Sequence, residues 1–178
     1  MKLNKIMMVA VMAFGMSSLA HAAVKDQGHG KVTFTGSIID APCSITPDSI
    51  DQTIELGQIS KVALKDGGKS TPRNFSIDLE NCEVGEKDNN KVTVTFTGME
   101  SIASNGLLGI TGTAKGASVA ITDGSGKVIE LGKATKAQLL QNGNNTLSFA
   151  AYMQGDGASA AVTEGEFQTV ADFTLAYQ

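Results

Sequence analysis

The last residues of the chain alternate in character with a period of two. From Gly165 to Gln178, apolar or small side chains occupy every second position, namely Phe167, Thr169, Ala171, Phe173, Leu175 and Tyr177. This period is that of a β-strand with one buried face. Chain ends usually fray, so a strand that runs to the terminus needs a partner to hold it. The pattern therefore predicts a sheet and raises the question of what pairs with its last strand.

The same alternation recurs in seven other segments, at residues 31–39, 53–59, 75–79, 92–97, 118–122, 127–131 and 146–153. Glycine-rich stretches that favour turns lie between several of them, at residues 66–68, 123–126, 142–145 and 155–157. The sequence has no long amphipathic helix, and one helical turn is predicted over residues 134–140. Many short strands joined by such turns predict an all-β chain folded as an antiparallel β-sandwich.

The amino terminus has the organisation of a secretory signal. Lys2 and Lys5 precede an apolar run over residues 6–20, and the small residues of Ala-His-Ala follow. The run is too short to read as a membrane span. We expect cleavage between Ala22 and Ala23, which removes the first 22 of the 178 residues and exports the rest.

The exported part is mildly acidic. Removal of the signal takes two of the 14 lysines and arginines and none of the 18 acidic residues, so the formal net charge becomes −6. A negative chain is a poor ligand for nucleic acid or for an anionic membrane surface, and neither is expected as a partner. The length is sufficient for one domain with a core of its own.

Two cysteines, Cys43 and Cys82, lie in the exported part. An oxidising compartment lets such an even pair close, so we expect one disulfide. It would close a loop of about 40 residues and remove roughly 4 kcal/mol of conformational freedom from the unfolded chain. A redox motif would place its cysteines close together in sequence, and a zinc site would need more ligands.

The residues that catalysis and metal binding need are scarce. Once His21 has left with the signal, His29 is the only histidine, and it lies between two glycines. A Ser-His-Asp triad requires a rigidly held base, and a copper or zinc site requires several imidazoles. The stretch GSGK at residues 124–127 lacks the spacing and the following helix of a phosphate-binding loop, so a hairpin turn explains it better. We expect no catalytic residue, no metal and no cofactor.

An apolar ribbon near the start of the exported chain repeats the problem of the final strand. Val32, Phe34 and Ile38 share one face with Gly36, and the ribbon lies outside the loop that the disulfide closes. The pattern fits an ordinary first strand of the sandwich and also fits a strand that pairs elsewhere. The residues alone do not decide between these two interpretations.

The chain resembles the structural pilins assembled by the chaperone–usher route, over essentially its whole length. The resemblance rests on the signal, on GKVTFTG at 30–36 leading into DAPCSI at 40–45, on LENC at 79–82, and on the ending. The carboxyl-terminal motif of that family has a glycine fourteenth from the end and a penultimate tyrosine, which are here Gly165 and Tyr177. The match is close to major subunits of P-type and mannose-resistant, Proteus-like fimbriae.

The resemblance implies an incomplete immunoglobulin-like β-sandwich, whose missing last strand leaves an apolar groove along one edge. Residues 41–178 would form this pilin domain, and residues 23–40 would form an extension that completes a neighbouring subunit by donor-strand exchange. The implied donor residues are Val32, Phe34, Gly36 and Ile38, with Asp40 near the end. The implied groove and chaperone-contact strand runs from Gly165 to Gln178, with Phe167, Phe173, Leu175 and Tyr177 facing inward.

The resemblance also implies the partners and the destination. A periplasmic chaperone would lend a strand and hold the terminal carboxylate of Gln178. An outer-membrane usher would then exchange that strand for the extension of the next copy. The product would be a head-to-tail homopolymer at the cell surface, joined by minor and tip subunits and used in cell adhesion.

Other classes of protein fit parts of the same sequence. A minor fimbrial adaptor or a self-contained secreted binding module would show the same sandwich. A periplasmic hydrolase is the enzyme alternative, and it would depend on a defined acidic pair.

Overall fold

The structure, a computed structural model, describes residues 27–85, 90–158 and 160–178, which divide into one unit up to Ile38 and a second over Ile39–Gln178. In the first unit, the described residues 27–38 form neither helix nor strand and their side chains are exposed. The predicted cleavage site between Ala22 and Ala23 lies outside the described residues. The second unit is the folded domain.

The second unit is almost entirely β. Its strands, in chain order, are β1 (Ser44–Ile45), β2 (Arg73–Cys82), β3 (Lys91–Gly98), β4 (Thr111–Gly112), β5 (Ala117–Asp123), β6 (Val128–Ile129), β7 (Gln138–Leu139), β8 (Gly143–Gly155), β9 (Phe167–Gln168) and β10 (Ala171–Tyr177). The two helical pieces are α1 (Pro47–Ile50) and a 3₁₀ turn at Lys65–Gly67. Within the described part of the chain, no helix has the length and apolar character that crossing a membrane requires.

The strands form two main sheets and one short ladder. The larger sheet has the order β1-β2-β8-β5-β6, the smaller has the order β10-β3-β7, and β4 pairs with β9. Every ladder is antiparallel. This arrangement confirms the predicted all-β sandwich.

Aromatic side chains from both sheets meet in the middle of the core. The ring of Phe96 in β3 lies 5.1 Å from that of Phe149 in β8 and 6.4 Å from that of Phe173 in β10. Phe75 in β2 completes the cluster, 5.6 Å from Phe149. Offset and edge-on ring pairs at these distances add to the free energy gained by burying the rings. The cluster therefore fixes β10 and β3 against the larger sheet.

The predicted pairing of the two cysteines is confirmed. Cys43 and Cys82 are bonded to each other and are 3% and 5% exposed. The backbone N–H of Glu83 donates to the carbonyl of Pro42 at 2.9 Å beside the bond. The disulfide thus ties the chain just before β1 to the end of β2.

Two of the predicted strands form no ladder, so those predictions are wrong. Residues 31–39 are not a strand, and residues 53–59 are not a strand either. Gln52, just before the second segment, and Ile54 and Leu56 within it are nevertheless half-buried, with exposed residues between them. Alternation reports which face is buried, whereas a strand also needs hydrogen-bonded neighbours. Residues 53–59 have a buried face but no hydrogen-bonded neighbouring strand.

Two local predictions fail because pairing between distant segments overrides them. The helical turn over residues 134–140 is absent, since Gln138–Leu139 pairs with β3 and Thr135 N–H donates to the Val94 carbonyl at 2.8 Å. The turn over 142–145 is partly strand, because Gly143 pairs with Cys82 at the start of β8. The hairpin at 123–126 is confirmed, with the Asp123 carboxylate accepting from Ser125 and Lys127 N–H groups.

Removal of the disulfide tests its contribution to the fold. A Cys43→Ser, Cys82→Ser double variant is expected to lose about 2–5 kcal/mol of unfolding free energy, because the unfolded chain regains the freedom of the open loop. Urea unfolding of both proteins, monitored by circular dichroism, measures the difference. Ser44→Ala is the control that leaves the bond in place. Equal midpoints for the double variant and the native chain would contradict the expectation.

Candidate functional site

An open groove of about 1280 Å³ runs into the core of the domain. Its floor consists of core side chains from both sheets, including Ile77, Phe96, Val119, Ile121 and Met153. Most core side chains of a folded domain are covered by other elements. Here apolar side chains line a cleft large enough for a chain segment.

One wall of the groove is the stretch over residues 51–61, which includes the segment that alternates without a ladder. Ile54, Leu56 and Ile59 line the groove, and Leu56 and Ile59 pack against the core. The backbone following this wall lies directly on the end of β8. A Cβ atom at Gly155 would be 1.9 Å from the carbonyl oxygen of Leu64, so glycine is required for that close approach.

The opposite wall is the last part of the chain. Phe167, Thr169, Ala171 and Phe173 are half-buried, and the residues between them are exposed. These four line the groove together with Gly165. Leu175 and Tyr177 pack against the core beyond the groove lining, and burial raises the pKa of the Tyr177 phenol. The terminal Gln178 is held by its N–H, which donates to the Lys91 carbonyl at 2.9 Å.

The outer edge of β10 has unpaired main-chain groups. Lys91 and Gln178 exchange two hydrogen bonds, at 2.9 and 3.1 Å, which makes them a hydrogen-bonded pair. Because such pairs alternate with non-bonded pairs along an antiparallel ladder, every second residue of β10 directs its N–H and C=O away from β3. These residues are Ala171, Phe173, Leu175 and Tyr177. Among the described residues no strand pairs with that edge.

Gly165 lets the second wall approach the neighbouring loop. A Cβ atom there would lie 2.4 Å from Thr113 Oγ1 and 2.5 Å from the Ala114 nitrogen, and the residue has φ +155°. The carbonyl of the next residue, Glu166, accepts hydrogen bonds from the N–H groups of both Thr113 and Ala114. Only glycine can therefore occupy this position, where the groove wall begins, without a steric clash.

A single ion pair joins the two walls at this end of the groove. Lys61 Nζ lies 2.9 Å from Glu164 Oε2, with side chains 58% and 81% exposed. The hydrogen bond from Lys61 lowers the pKa of the Glu164 carboxyl below its usual value. Exposed pairs of this kind contribute little to stability, so the pair does not hold the walls together.

One polar atom in the second wall lacks a partner. Among the described residues, Thr169 Oγ1 is the only fully buried side-chain nitrogen or oxygen with no hydrogen bond. Thr169 lies at the break between β9 and β10, where the strand shifts its pairing from β4 to β3. A buried hydroxyl without a partner costs free energy.

The implied donor residues lie in the other unit and are exposed. Val32, Phe34 and Ile38 have 75%, 90% and 104% of their surface accessible. A Cβ atom built on Gly36 would meet no heavy atom within 4 Å. These residues thus present an apolar face that nothing covers in the described unit.

Sequence patterns found one wall of the groove but missed the other. The alternation over residues 53–59 was the available signal, and it indicated an ordinary strand. Lys61 and Glu164 are 103 residues apart, and no local pattern connects them. In the part of the chain that the structure describes, no group of three or more His, Cys, Asp or Glu side chains is arranged to hold a metal ion.

Known proteins share both the sequence and the fold. The family model described as fimbrial protein matches residues 32–178. The fimbria A protein of Serratia marcescens is 66% identical over 178 residues, covering all of both chains. The major MR/P fimbria protein of Proteus mirabilis is 54% identical over 180 residues, again covering both chains completely.

Solved structures give the same result for the fold. A subunit in the structure of a chaperone–usher pilus superposes with a TM-score of 0.78 at 36% identity, covering 88% of this chain and all of the other. The P pilus rod subunit PapA superposes with a TM-score of 0.69 at 34% identity, covering 78% of this chain and all of the other. The sandwich is thus of the immunoglobulin-like kind found in those subunits.

Substitution of Gly165 by alanine tests the steric account of the groove wall. The added Cβ would collide with Thr113 and Ala114, so we expect the free energy of unfolding to fall by about 2–4 kcal/mol, through backbone strain and a forced shift. Thermal unfolding of the two proteins measures it.

Gly157→Ala is the matched control. Gly157 also has positive φ, at +100°, but its Cβ would meet nothing within 4 Å. It should therefore show the conformational cost of alanine at positive φ alone, about 1–2 kcal/mol. Similar losses in the two variants would mean that contact with Thr113 and Ala114 is unimportant.

Proposed function

The chain belongs to the fimbrial protein family and is a structural subunit of a fimbria, and on that premise we propose how it polymerises. Residues 23–40 of one copy are the donor segment and lie in the groove of the next copy, as an added strand beside β10. Strand addition to an open sheet edge is a general mode of recognition, of which chaperone–pilin complementation is a known case. Residues 41–178 are then the acceptor domain.

The observation that carries this proposal is a groove with an apolar floor and an unpaired edge. The odd-numbered residues from Ala171 to Tyr177 offer N–H and C=O groups on the side that β3 does not occupy. Residues 53–59 of the opposite wall are also without a ladder. A single extended segment between the two walls would cover the core side chains and satisfy main-chain groups together.

The exposed face of the donor segment has the composition that such a groove requires. Burial of Val32, Phe34 and Ile38 would contribute about 1.5–3 kcal/mol each, or roughly 5–9 kcal/mol in total. That sum is comparable with the whole stability of an ordinary domain, about 5–15 kcal/mol. Gly36, between two large apolar residues, suits a point where the groove is shallow and the two backbones approach closely.

A donor segment on one part of the chain and a groove on another form a head-to-tail contact. Because the two contacting surfaces are different, each added copy presents a new groove or a new segment to the next. Repetition without closure generates an open filament. The same chain can therefore be the repeating unit of the fibre, as expected for a major subunit.

Export and assembly require partners beyond the chain itself. We propose that the first 22 residues direct export and are cleaved between Ala22 and Ala23. A periplasmic chaperone covers the groove during transit and holds the Gln178 carboxylate, and an outer-membrane usher replaces it with the next copy. Minor and tip subunits complete the fimbrium at the cell surface. The role is structural, without catalysis or a cofactor.

A leucine at Gly36 tests the donor assignment. The larger side chain would prevent the close approach of the backbones, so Gly36→Leu is expected to reduce fibres per cell at least about tenfold. Electron microscopy of cells that carry the variant as their only copy measures this. Ser37→Leu is the matched control, because residue 37 faces the opposite way on an extended strand.

Deletion of residues 23–39 tests the same assignment more directly. The shortened subunit should still fold and form its disulfide, but it should not extend a fibre as a donor. Fibres of normal abundance and length from the shortened subunit would overturn the proposal. So would equal losses in Gly36→Leu and Ser37→Leu.

A further inference from the structure

We propose that Lys61 fixes the register of the inserted strand: when a neighbouring copy inserts, Lys61 leaves Glu164 and pairs with Asp40 of that copy. This inference rests on the proposed function, since it assumes that residues 31–40 enter the groove. It assigns a positioning role to a residue that no pattern in the sequence singles out. Four observations lead to it.

The free edge determines which residues can face each other. Odd-numbered residues of β10 direct their main-chain groups toward the groove, and their side chains also point inward. An antiparallel partner places its own inward residues directly opposite them. The inward donor residues, from Val32 to Ile38, must therefore lie opposite odd-numbered residues of the wall.

The lengths of the two apolar faces select one register. Val32 and Ile38 are six residues apart, and so are Phe173 and Phe167, the two aromatic residues of the groove-lining wall. In the antiparallel direction Val32 then lies opposite Phe173 and Ile38 opposite Phe167. Gly36 lies opposite Thr169, where the donor has no side chain to compete with the threonine for space. Every ladder within the domain has this antiparallel direction.

This register places Asp40 opposite Gly165, beside the ion pair. The next residue is Glu164, whose partner Lys61 reaches it from the opposite wall at 2.9 Å. Lys115 and Glu166 also line this end of the groove. The Lys61 side chain is 58% exposed, so its ammonium group can turn toward a second carboxylate without breaking any buried contact.

The short connection to the donor subunit holds Asp40 in place. Only Ala41 and Pro42 separate Asp40 from Cys43, which is bonded to Cys82 of the same subunit. Asp40 is three residues before Cys43, which spans at most about 11 Å, so the body of the donor subunit must lie close to this end of the groove. Such proximity displaces water from the Lys61 site and keeps the carboxylate of Asp40 at high local concentration. Glu164, which is 81% exposed, has neither advantage.

Disulfide trapping in assembled fibres tests the register. Thr33 and Asp172 would form a non-bonded pair of the new ladder, with Cα atoms about 4.5 Å apart, which suits a disulfide. Thr33→Cys with Asp172→Cys is expected to give a covalent ladder on non-reducing gels after mild oxidation. Thr33→Cys with Thr174→Cys reports a shift by two residues, and Thr33→Cys with Gln168→Cys reports the parallel direction. A ladder mainly from either of these combinations would overturn the register.

Charge reversal tests the role of Lys61 in the same fibres. Lys61→Glu should lower the Thr33–Asp172 cross-linked fraction and release subunits about three- to fivefold faster on heating at low salt, the scale of an exposed ion pair. High salt should reduce the difference. Lys61→Gln, which removes the charge without reversing it, should show a smaller effect of the same sign.

A second substitution shows whether Lys61 acts on the neighbouring copy or only within its own subunit. Asp40→Lys should restore the cross-link and the release rate of Lys61→Glu, whereas Glu164→Lys should not. Rescue by Glu164→Lys alone, or no effect of Lys61→Glu in fibres that cross-link as expected, would overturn the role of Lys61. If none of the three cysteine combinations gives a ladder, the donor segment does not occupy the groove, and the proposed function fails with the inference.

Discussion

The structure depends on an unpaired strand edge that runs along an apolar groove. On one side, alternate residues of β10 direct their main-chain groups away from β3, and on the other side residues 53–59 have a buried face but no ladder. Between them, core side chains such as Ile77 and Phe96 form the floor. An edge that combines unpaired backbone with apolar side chains favours association with another strand.

In the proposed contact between subunits, affinity and register come from different residues. The large apolar side chains of the donor segment contribute most of the free energy of association. They do not fix the register, because a strand that slides by two residues keeps its apolar face inward. Gly36 and Asp40 break that repetition, since one has no side chain and the other carries a charge. The proposed placement of Gly36 opposite Thr169 and of Asp40 beside Lys61 would distinguish the registers that hydrophobic burial alone would leave similar.

Some of this could be predicted from the sequence, and the rest depends on contacts between distant segments. The alternation of the last strand gave the correct buried face, and the two cysteines gave the correct disulfide. Residues 53–59 gave the correct buried face and the wrong pairing, because a period of two says nothing about hydrogen-bonded neighbours. Residues 134–140 were mistaken for a helical turn because their pairing with β3 has no local signal. The contact of Lys61 with Glu164 likewise exists only in the folded chain.

With residues 23–40 as the proposed donor segment, the position of the disulfide gives tension a defined path through the fibre. A pull on the donor segment passes through Asp40, Ala41 and Pro42 to Cys43, and from there through the covalent bond to Cys82 at the end of β2. β2 pairs with β8 over eight registered residue pairs, and Phe75 and Phe149 connect these strands to Phe96 and so to β3 and β10. The load therefore reaches the next groove through long antiparallel ladders and a close-packed core. Since the donor strand would lie along β10, its hydrogen bonds and apolar contacts would have to break together before it is released. The durability of the fibre would therefore depend on the rate of release as well as on the equilibrium.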